Sequence, residues 1–164
     1  PAAWEMIWIQ GSTSGYRWTA NRHWRSATDG TAWYLAPTAY NLASFNSRLG
    51  AKDVSAGSKP TGTHVVVRPN RFESGRANVI VYNWGKAGSV TANLSGVLNA
   101  GDAYEVRNVR NFFGAPVATG TYGGGTISIP MTAVPSPRPV GGYISTEPPS
   151  TTEFQTFVVM KRGS

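Results

Sequence analysis

The strongest constraint on the fold is the alternation of short β-branched runs with turn residues. From residue 63 onward, apolar side chains occur in short runs or at every second position, and clusters of Gly, Asn and Pro separate them. This spacing is typical of antiparallel sandwiches and barrels rather than of βαβ units. It predicts an all-β fold, an antiparallel β-sandwich, with at least six strands: Thr63–Arg68, Ala77–Asn83, Val90–Leu94, Tyr104–Arg107, Ile127–Met131 and Phe154–Lys161.

Two of these strands contain unbroken apolar runs and two contain alternating ones. Thr63–Arg68 and Ala77–Asn83 are predicted to be buried on both faces, and therefore either central in a sheet or packed between sheets. The alternating strands at Val90–Leu94 and Ile127–Met131 are predicted to have one wet face. Pro135–Ser150, rich in Pro and Gly, is expected to be a long loop, and loops of that length are usually functional or mobile.

The first 58 residues differ from the rest of the chain in their sequence pattern. Leu42, Phe45 and Leu49 recur at helical spacing, with Asn41 as N-cap and Gly50 as the C′ residue, which predicts one short helix. Residues 51–62 resemble a linker. Because so short a segment can hardly bury a core of its own, we expect an N-terminal extension, 1–58, packed on a sandwich domain, 59–164.

Composition excludes several classes of protein. The 164 residues include no Cys, which removes disulfides, thiolate nucleophiles and Cys-based metal sites. No apolar stretch approaches the roughly 20 residues that a transmembrane helix needs. The start at Pro1, without a Met or a leader pattern, is interpreted as excision from a longer protein or removal of a signal peptide, with excision favoured.

The positive net charge suggests nucleic acid as a possible partner, but the distribution of Lys and Arg along the chain does not favour nucleic-acid binding. Fifteen Lys and Arg against eight Asp and Glu give a net charge of +7. The Lys and Arg residues are scattered in small groups with no run of five or more. A solvated protein surface with few acidic residues is therefore the favoured interpretation of the net charge. Single-strand nucleic-acid binding stays open as a rival, since it also pairs Arg with aromatic rings.

Five short motifs lie in the C-terminal part of the chain: Arg68-Pro69-Asn70, Gly75-Arg76-Ala77-Asn78, Tyr82-Asn83-Trp84, Tyr104-Glu105-Val106-Arg107-Asn108 and Asn111-Phe112-Phe113-Gly114-Ala115-Pro116-Val117. They resemble motifs of C-terminal β-sandwich accessory domains, similar to carbohydrate-binding modules, in bacterial extracellular glycan-acting proteins. Upstream, residues 21–55 are similar to the closing turns of right-handed parallel β-helix proteins. The resemblance implies a jelly-roll-type sandwich that attaches to or targets an enzyme and has no catalytic residues of its own. We expect a secreted, monomeric module.

The acidic residues argue independently against catalysis. Glycoside hydrolysis requires two carboxyl groups that flank the scissile glycosidic bond, and one of them must stay protonated. Glu73 and Asp29 have turn roles, while Asp102 and Glu105 are spaced to point to opposite faces of a strand. We therefore expect no enzyme and no cofactor. Asp53 and Asp102 are the candidates for a structural calcium ion, although solvated surface carboxylates are the favoured interpretation.

The aromatic residues of the first 34 positions carry the functional prediction. In a strand, Tyr16 and Trp18 would share one face with Arg17 opposed, and an Asp29-Gly30 hairpin would place Trp24 across from Trp33. Trp4, Trp8 and the Phe112-Phe113 pair are predicted to be core, and Trp84 to be core or turn packing. The predicted carbohydrate-binding residues are Tyr16, Trp18, Asn21, Arg22, Trp24, Arg25, Trp33 and Tyr34.

The sequence thus predicts a non-catalytic carbohydrate-binding module. Flat aromatic rings match the apolar faces of sugars, so the expected ligand is a plant-type β-glucan such as cellulose, mixed-linkage glucan or xyloglucan. The alternative is a structural or interaction domain at the end of a β-helix protein, with no ligand of its own. A polysaccharide and an attached catalytic domain are the expected partners, and no membrane is expected.

Overall fold

The computed structural model describes residues 6–24, 31–135, 137, 141 and 150–163. The chain divides into two compact units, Pro1–Pro60 and Thr61–Ser164, here called the N-terminal and C-terminal units. That boundary lies two residues from the predicted one. Arg25, Trp4, the Asp29-Gly30 turn and most of the predicted loop at 135–150 lie outside the described residues.

The C-terminal unit is all-β and sandwich-like, as predicted. One sheet has five described strands in the order β10-β9-β12-β7-β6, and a second pairs β11 with β8, all antiparallel. A 3₁₀ turn, Val109–Asn111, follows β9. The strands are β6 (Thr63–Pro69), β7 (Arg76–Asn83), β8 (Ser89–Asn93), β9 (Ala103–Asn108), β10 (Ala118–Thr121), β11 (Thr126–Pro130) and β12 (Phe154–Lys161).

The core of this unit lies between the two sheets. Alternation along each strand sends one set of side chains inward, because successive residues of a strand project to opposite faces. The inward set is fully or nearly buried and mainly aliphatic, and it also contains the rings of Tyr104, Tyr122 and Phe157. The principal contributors are Val79, Val81, Val90, Ala92, Leu94, Val106, Ile127, Ile129, Met131 and Val159.

The positions of β6 and β10 differ from the sequence prediction. β6 is an edge strand, not a central one, and Val65, Val66 and Val67 are only half-buried. β7 is central in the sheet, but its residues alternate between buried and more exposed positions. One face of β7 is therefore exposed to solvent, contrary to the prediction that both faces are buried. β10 was not predicted because its residues, Ala-Thr-Gly-Thr, carry no apolar pattern; pairing with β9 places it in the sheet.

The N-terminal unit is built from very short elements. β1 pairs with β3 and β2 with β5, both in parallel, while β3 and β4 are antiparallel. β3 therefore has a partner on each edge. The elements are β1 (Ile7–Ile9), β2 (Arg22–His23), β3 (Trp33–Leu35), β4 (Thr38–Tyr40), α1 (Leu42–Leu49) and β5 (Val54–Ser55).

The predicted helix and both of its caps are confirmed. Asn41 precedes α1, and its side-chain oxygen accepts from the backbone N–H of Ser44 at 2.8 Å. Gly50 ends the helix at φ +61°, the left-handed conformation that glycine adopts most easily. Phe45 is the buried member of the helical stripe.

This unit has a small core of its own, contrary to the prediction that it would be too short to form one. Ala32, Trp33 and Phe45 are buried, and α1 and β3 supply the two rings. Met6, Ile7, Trp18, Leu35, Tyr40, Leu42 and Leu49 pack around them. Large aromatic side chains make this possible because each buries far more area than an aliphatic one. Among the described residues, no helix is long and apolar enough to cross a membrane.

Candidate functional site

The outer face of the five-stranded sheet carries a row of aromatic side chains. His64 of β6 lies opposite Tyr82 of β7, and Tyr82 lies opposite Phe154 of β12. Residues directly opposite in neighbouring strands project from the same face of the sheet. Trp84 follows Tyr82 by two positions, and its ring stacks on that of Tyr82. His64, Tyr82, Trp84 and Phe154 are called the aromatic row below.

Tyr82 is the centre of the row and contacts the other three rings. Its ring centroid lies 5.6 Å from that of Trp84, with 21° between the planes. The centroids of Phe154 and His64 lie 5.1 Å and 6.2 Å away. Despite these contacts, Tyr82 and Phe154 remain 39% and 48% exposed. A contiguous group of exposed rings on a soluble protein is typical of an interaction site.

Buried Asn83 holds the segments that carry the row. Its side-chain nitrogen donates to the carbonyls of Ala87 and Thr152, both at 2.8 Å, and its oxygen accepts from the Ala87 N–H at 3.0 Å. The first and third bonds close the turn that begins at Trp84, and the second fixes the chain two residues before Phe154. This amide therefore supports the two segments that carry Trp84 and Phe154, in addition to the pairing of the strands.

A depression of about 430 Å³ adjoins Phe154 at the edge of the row. Thr151, Thr156, Val109 and Arg110 contribute to its wall. Beneath it, the buried Gln155 side chain accepts from Asn108 at 2.7 Å and donates to two backbone carbonyls at 3.0 Å. Paired amides make this floor rigid and uncharged, whereas the wall offers hydroxyls.

The described carboxyl groups of this unit, those of Glu73, Asp102, Glu105 and Glu153, lie in ion pairs. The Lys161 ammonium lies 2.7 Å from Asp102 and, with the Asn99 backbone N–H, holds the pKa of Asp102 below its usual value. The Arg107 guanidinium contacts both oxygens of Glu105 and likewise lowers its pKa. A general acid needs the opposite shift. Glu153 pairs with Lys86 at 2.9 Å, beside Trp84 and Phe154 in the chain.

In the N-terminal unit, a second pocket brings together three of the predicted site residues. Tyr16, Trp18 and Asn21 line a depression of about 420 Å³ with Arg17. The segment is not a strand, and Arg17 lines the same pocket as the two rings, so the prediction of an opposed Arg17 is wrong. Tyr16 is 53% exposed, whereas Trp18 is half-buried with its ring centroid 5.6 Å from that of Phe45.

Asp53 is the polar centre beneath this pocket. One of its oxygens accepts from the backbone and side-chain nitrogens of Asn21, at 2.9 and 3.0 Å, and the other lies 2.8 Å from Nε2 of His23. Asn46 bonds the Asp53 backbone from the helix. Burial raises the pKa of the Asp53 carboxyl, but hydrogen bonds from His23 and Asn21 outweigh burial and leave a pKa below the usual value. The expectation of a solvated carboxylate at Asp53 is wrong.

The other predicted site residues are dispersed. Trp33 is buried in the core, so its ring offers no stacking surface, and its indole N–H has no partner among the described residues. It does not face Trp24 across a hairpin, because β1 and β4 occupy both edges of β3. Tyr34 points to the opposite face, where its ring centroid lies 4.6 Å from that of Trp8. Arg22 is exposed on β2, and Trp24 is half-buried after it.

Two predictions of core packing are also wrong. Trp8 was expected to be buried and is 53% exposed, because it occupies the outward position between Ile7 and Ile9 of β1. Phe113 is 94% exposed, and Phe112 is only half-buried. Arg107 donates to the carbonyls of Phe112 and Gly114, which holds this loop beyond the end of β9.

The aromatic row was missed because its members are distant in sequence. Only the register of β6, β7 and β12 brings residues 64, 82 and 154 together. One signal was available: Tyr82 and Trp84 alternate with Val81 and Asn83, and a strict period of two would have separated them from the buried set.

The described residues contain no cluster of three or more His, Cys, Asp or Glu that could hold a metal ion. Asp53 and Asp102, the candidates for calcium, lie in separate units and accept hydrogen bonds from protein groups. Comparison of the chain with protein-family models, curated proteins and solved structures finds no match.

Proposed function

We propose that this protein is a non-catalytic carbohydrate-binding module that binds a plant-type β-glucan on the aromatic row. The observation that carries the proposal is the contact of four rings across three neighbouring strands, with Tyr82 and Phe154 exposed. A row of rings offers an elongated apolar surface, and sugar rings present apolar C–H faces to such surfaces. Stacking leaves the sugar hydroxyls free to bond polar groups beside the rings.

The polar groups beside the row fit this ligand. The depression next to Phe154 has Thr151 and Thr156 at its wall, and both hydroxyls can donate and accept. Lys86 and Glu153 form an ion pair, which leaves little net charge at that end of the row. A neutral, extended polysaccharide therefore suits this end of the row.

Binding of this kind would serve an enzyme attached elsewhere in the parent chain. A tethered module raises the effective concentration of substrate around its partner without any new catalytic contact. The ion pairs that keep Asp102 and Glu105 ionised support the non-catalytic part of the proposal. Extracellular action in a bacterium is also part of this proposal and rests on the resemblance described above.

Native-gel retardation tests the proposal directly. The protein is run through gels containing hydroxyethylcellulose, mixed-linkage glucan, xyloglucan, xylan or pectin, and a β-glucan should retard it. Tyr82→Ala should weaken binding about tenfold or more, since central aromatic contacts commonly cost about 2 kcal/mol or more when truncated. Phe154→Ala should have a smaller effect in the same direction.

Matched controls come from two other exposed aromatic residues. Phe72 and Phe113 are 96% and 94% exposed and take no part in the row, so Phe72→Ala and Phe113→Ala should retain full retardation. Equal loss in all four variants would indicate nonspecific hydrophobic adsorption. Retardation by none of the glycans would refute the proposal.

A second candidate function, a structural domain at the end of a β-helix protein, is favoured by one specific observation. Both β1–β3 and β2–β5 are parallel pairs of two or three residues, as stacked β-helix turns would require. In that case the exposed Trp8–Tyr34 pair would be covered by the preceding chain. A longer protein that includes this chain would then protect Trp8 from a solvent quencher, and no glycan would change the fluorescence.

A further inference from the structure

The pocket of the N-terminal unit has a different chemistry from the aromatic row. Tyr16 and Trp18 supply ring surface, Arg17 supplies a guanidinium, and Asn21 supplies an amide, all within four chain positions of Trp18. The side chain of Arg17 makes no hydrogen bond or ion pair with any residue that the structure describes. A ring, a cation and an amide together can recognise a sugar that carries a negative charge.

Among the described residues of this unit, cations outnumber acidic residues. In residues 6–24 and 31–60 the only acidic residue is Asp53, which is buried and already bonded to His23 and Asn21. The described surface therefore carries cations with no exposed carboxylate to neutralise them. These cations are Arg17, Arg22, Arg48, Lys52 and Lys59. Such a surface attracts anions, and the guanidinium fork bonds carboxylate and sulfate groups with two parallel hydrogen bonds.

The amide of the pocket is held in a fixed orientation. Because Asn21 donates its side-chain N–H to Asp53 at 3.0 Å, its side-chain oxygen is left as an acceptor, and none of the described residues donates to that oxygen. The backbone bond from Asn21 to the same carboxylate oxygen, at 2.9 Å, restrains the residue further. A side chain that is already ordered loses less entropy when a ligand binds.

We propose that the pocket of Tyr16, Arg17, Trp18 and Asn21 binds an anionic sugar residue of a polysaccharide. The rings of Tyr16 and Trp18 contact the apolar face of the pyranose, Arg17 binds its carboxylate or sulfate group, and Asn21 accepts from a hydroxyl. Asp53 acts as a positioning residue through Asn21. This site is independent of the aromatic row and would hold even if the row bound nothing.

Titration calorimetry with three oligosaccharides tests the proposal. The probes are an oligogalacturonate for the carboxylate, a sulfated galactan oligosaccharide for the sulfate, and a neutral cello-oligosaccharide. We expect one of the two anionic probes to bind, and Arg17→Gln to weaken that binding about tenfold or more, as loss of a charge-assisted contact predicts. Tyr16→Ala should weaken it without loss of stability, since Tyr16 is largely exposed.

Matched variants separate this site from general charge and from the aromatic row. Arg48→Gln removes an equal charge from the same unit, at a guanidinium that lies over the Tyr40 ring, and should leave affinity within about twofold of the parent. Tyr82→Ala should not change anionic-sugar binding, and Arg17→Gln should not change β-glucan retardation. An equal effect of Arg48→Gln and Arg17→Gln would overturn the proposal.

Two further outcomes would also overturn it. If neither anionic oligosaccharide binds the full chain, the pocket is not an anionic-sugar site. If single-stranded DNA binds more tightly than both, and Arg17→Gln weakens that binding, the ligand of the pocket is a phosphate chain instead. Asp53→Asn should weaken sugar binding less than Arg17→Gln, because it keeps the shape of the side chain and alters only the support of Asn21.

Discussion

The two units use aromatic side chains in opposite ways. In the C-terminal unit, strands of up to eight residues fill the interior mainly with aliphatic side chains, beside the rings of Phe157, Tyr104 and Tyr122, and four rings remain on the outer face. In the N-terminal unit, strands of two or three residues provide few inward positions, so Trp33 and Phe45 form the core. The short strands of the N-terminal unit therefore take Trp33 and Phe45 into the core, whereas Tyr16, which lies outside any strand, stays exposed there.

This contrast also explains why the prediction of a binding surface was wrong at Trp33, which is buried in the core of the N-terminal unit. A large ring in a small unit is needed for burial, since each buries more area than an aliphatic side chain. In a larger sandwich the same ring is surplus to the core. The surplus rings are the ones that can serve recognition.

The largest expected effect comes from truncating one core aromatic residue in each unit. Phe45→Ala and Phe157→Ala remove fully buried rings, and each should cost about 3–5 kcal/mol of unfolding free energy. The small core of the N-terminal unit should not survive that loss, whereas the C-terminal unit should stay folded with a lower Tm. Limited proteolysis and Trp fluorescence during thermal unfolding measure both. If Phe157→Ala alone abolished folding of the N-terminal unit, the two cores would not be separate.

Asn83 tests whether the aromatic row depends on its buried support. Asn83→Ala leaves the carbonyls of Ala87 and Thr152 without their donor and should cost about 1–3 kcal/mol. Asn83→Asp should destabilise the unit at least as much, because a carboxylate would face the same two carbonyls. Both variants should weaken β-glucan retardation together with Tm. Tyr82→Ala should weaken retardation with little change in Tm. This difference would distinguish a residue that contacts the ligand, Tyr82, from one that supports the aromatic row, Asn83.

The N-terminal unit should show acid sensitivity that depends on Asp53. Its carboxyl has a lower pKa in the folded protein than the ordinary value of 3.8, so ionised Asp53 stabilises the fold above that value. That stabilisation is lost as pH falls through the folded pKa, and below it the contribution is gone. Measured as Tm between neutral pH and pH about 2, the parent should lose more stability in the N-terminal unit than Asp53→Asn does. Equal slopes in the two proteins would show that Asp53 does not supply the difference.

The smallest effect is expected where the sequence predicted a core. Phe113→Ala removes a ring that is almost fully exposed, so the change in unfolding free energy should stay within about 0.5 kcal/mol. Chemical denaturation measures it, with Phe157→Ala as the comparison. A loss above that range would mean that Phe113 packs against something in solution.

Much of the fold could be predicted from local patterns. The strand at Phe154–Lys161 was predicted with its observed bounds, and α1 with both caps, because strand alternation and cap chemistry depend on neighbouring residues alone. β10 and the edge position of β6 could not be predicted, since both depend on which strands pair. For the site, Tyr16, Trp18 and Asn21 were predicted and share a pocket, whereas Trp33 was assigned to the surface and is buried.

The sequence by itself determined the class of the fold, the short helix and the location of most strands, because periodicity and turn residues act over a few positions. Tertiary structure decided which rings are exposed, because His64, Tyr82 and Phe154 meet only through strand register. It also decided the state of Asp53, whose partners His23 and Asn21 lie 30 and 32 positions away. Burial and hydrogen bonding between distant segments are properties of packing, and no local pattern encodes them.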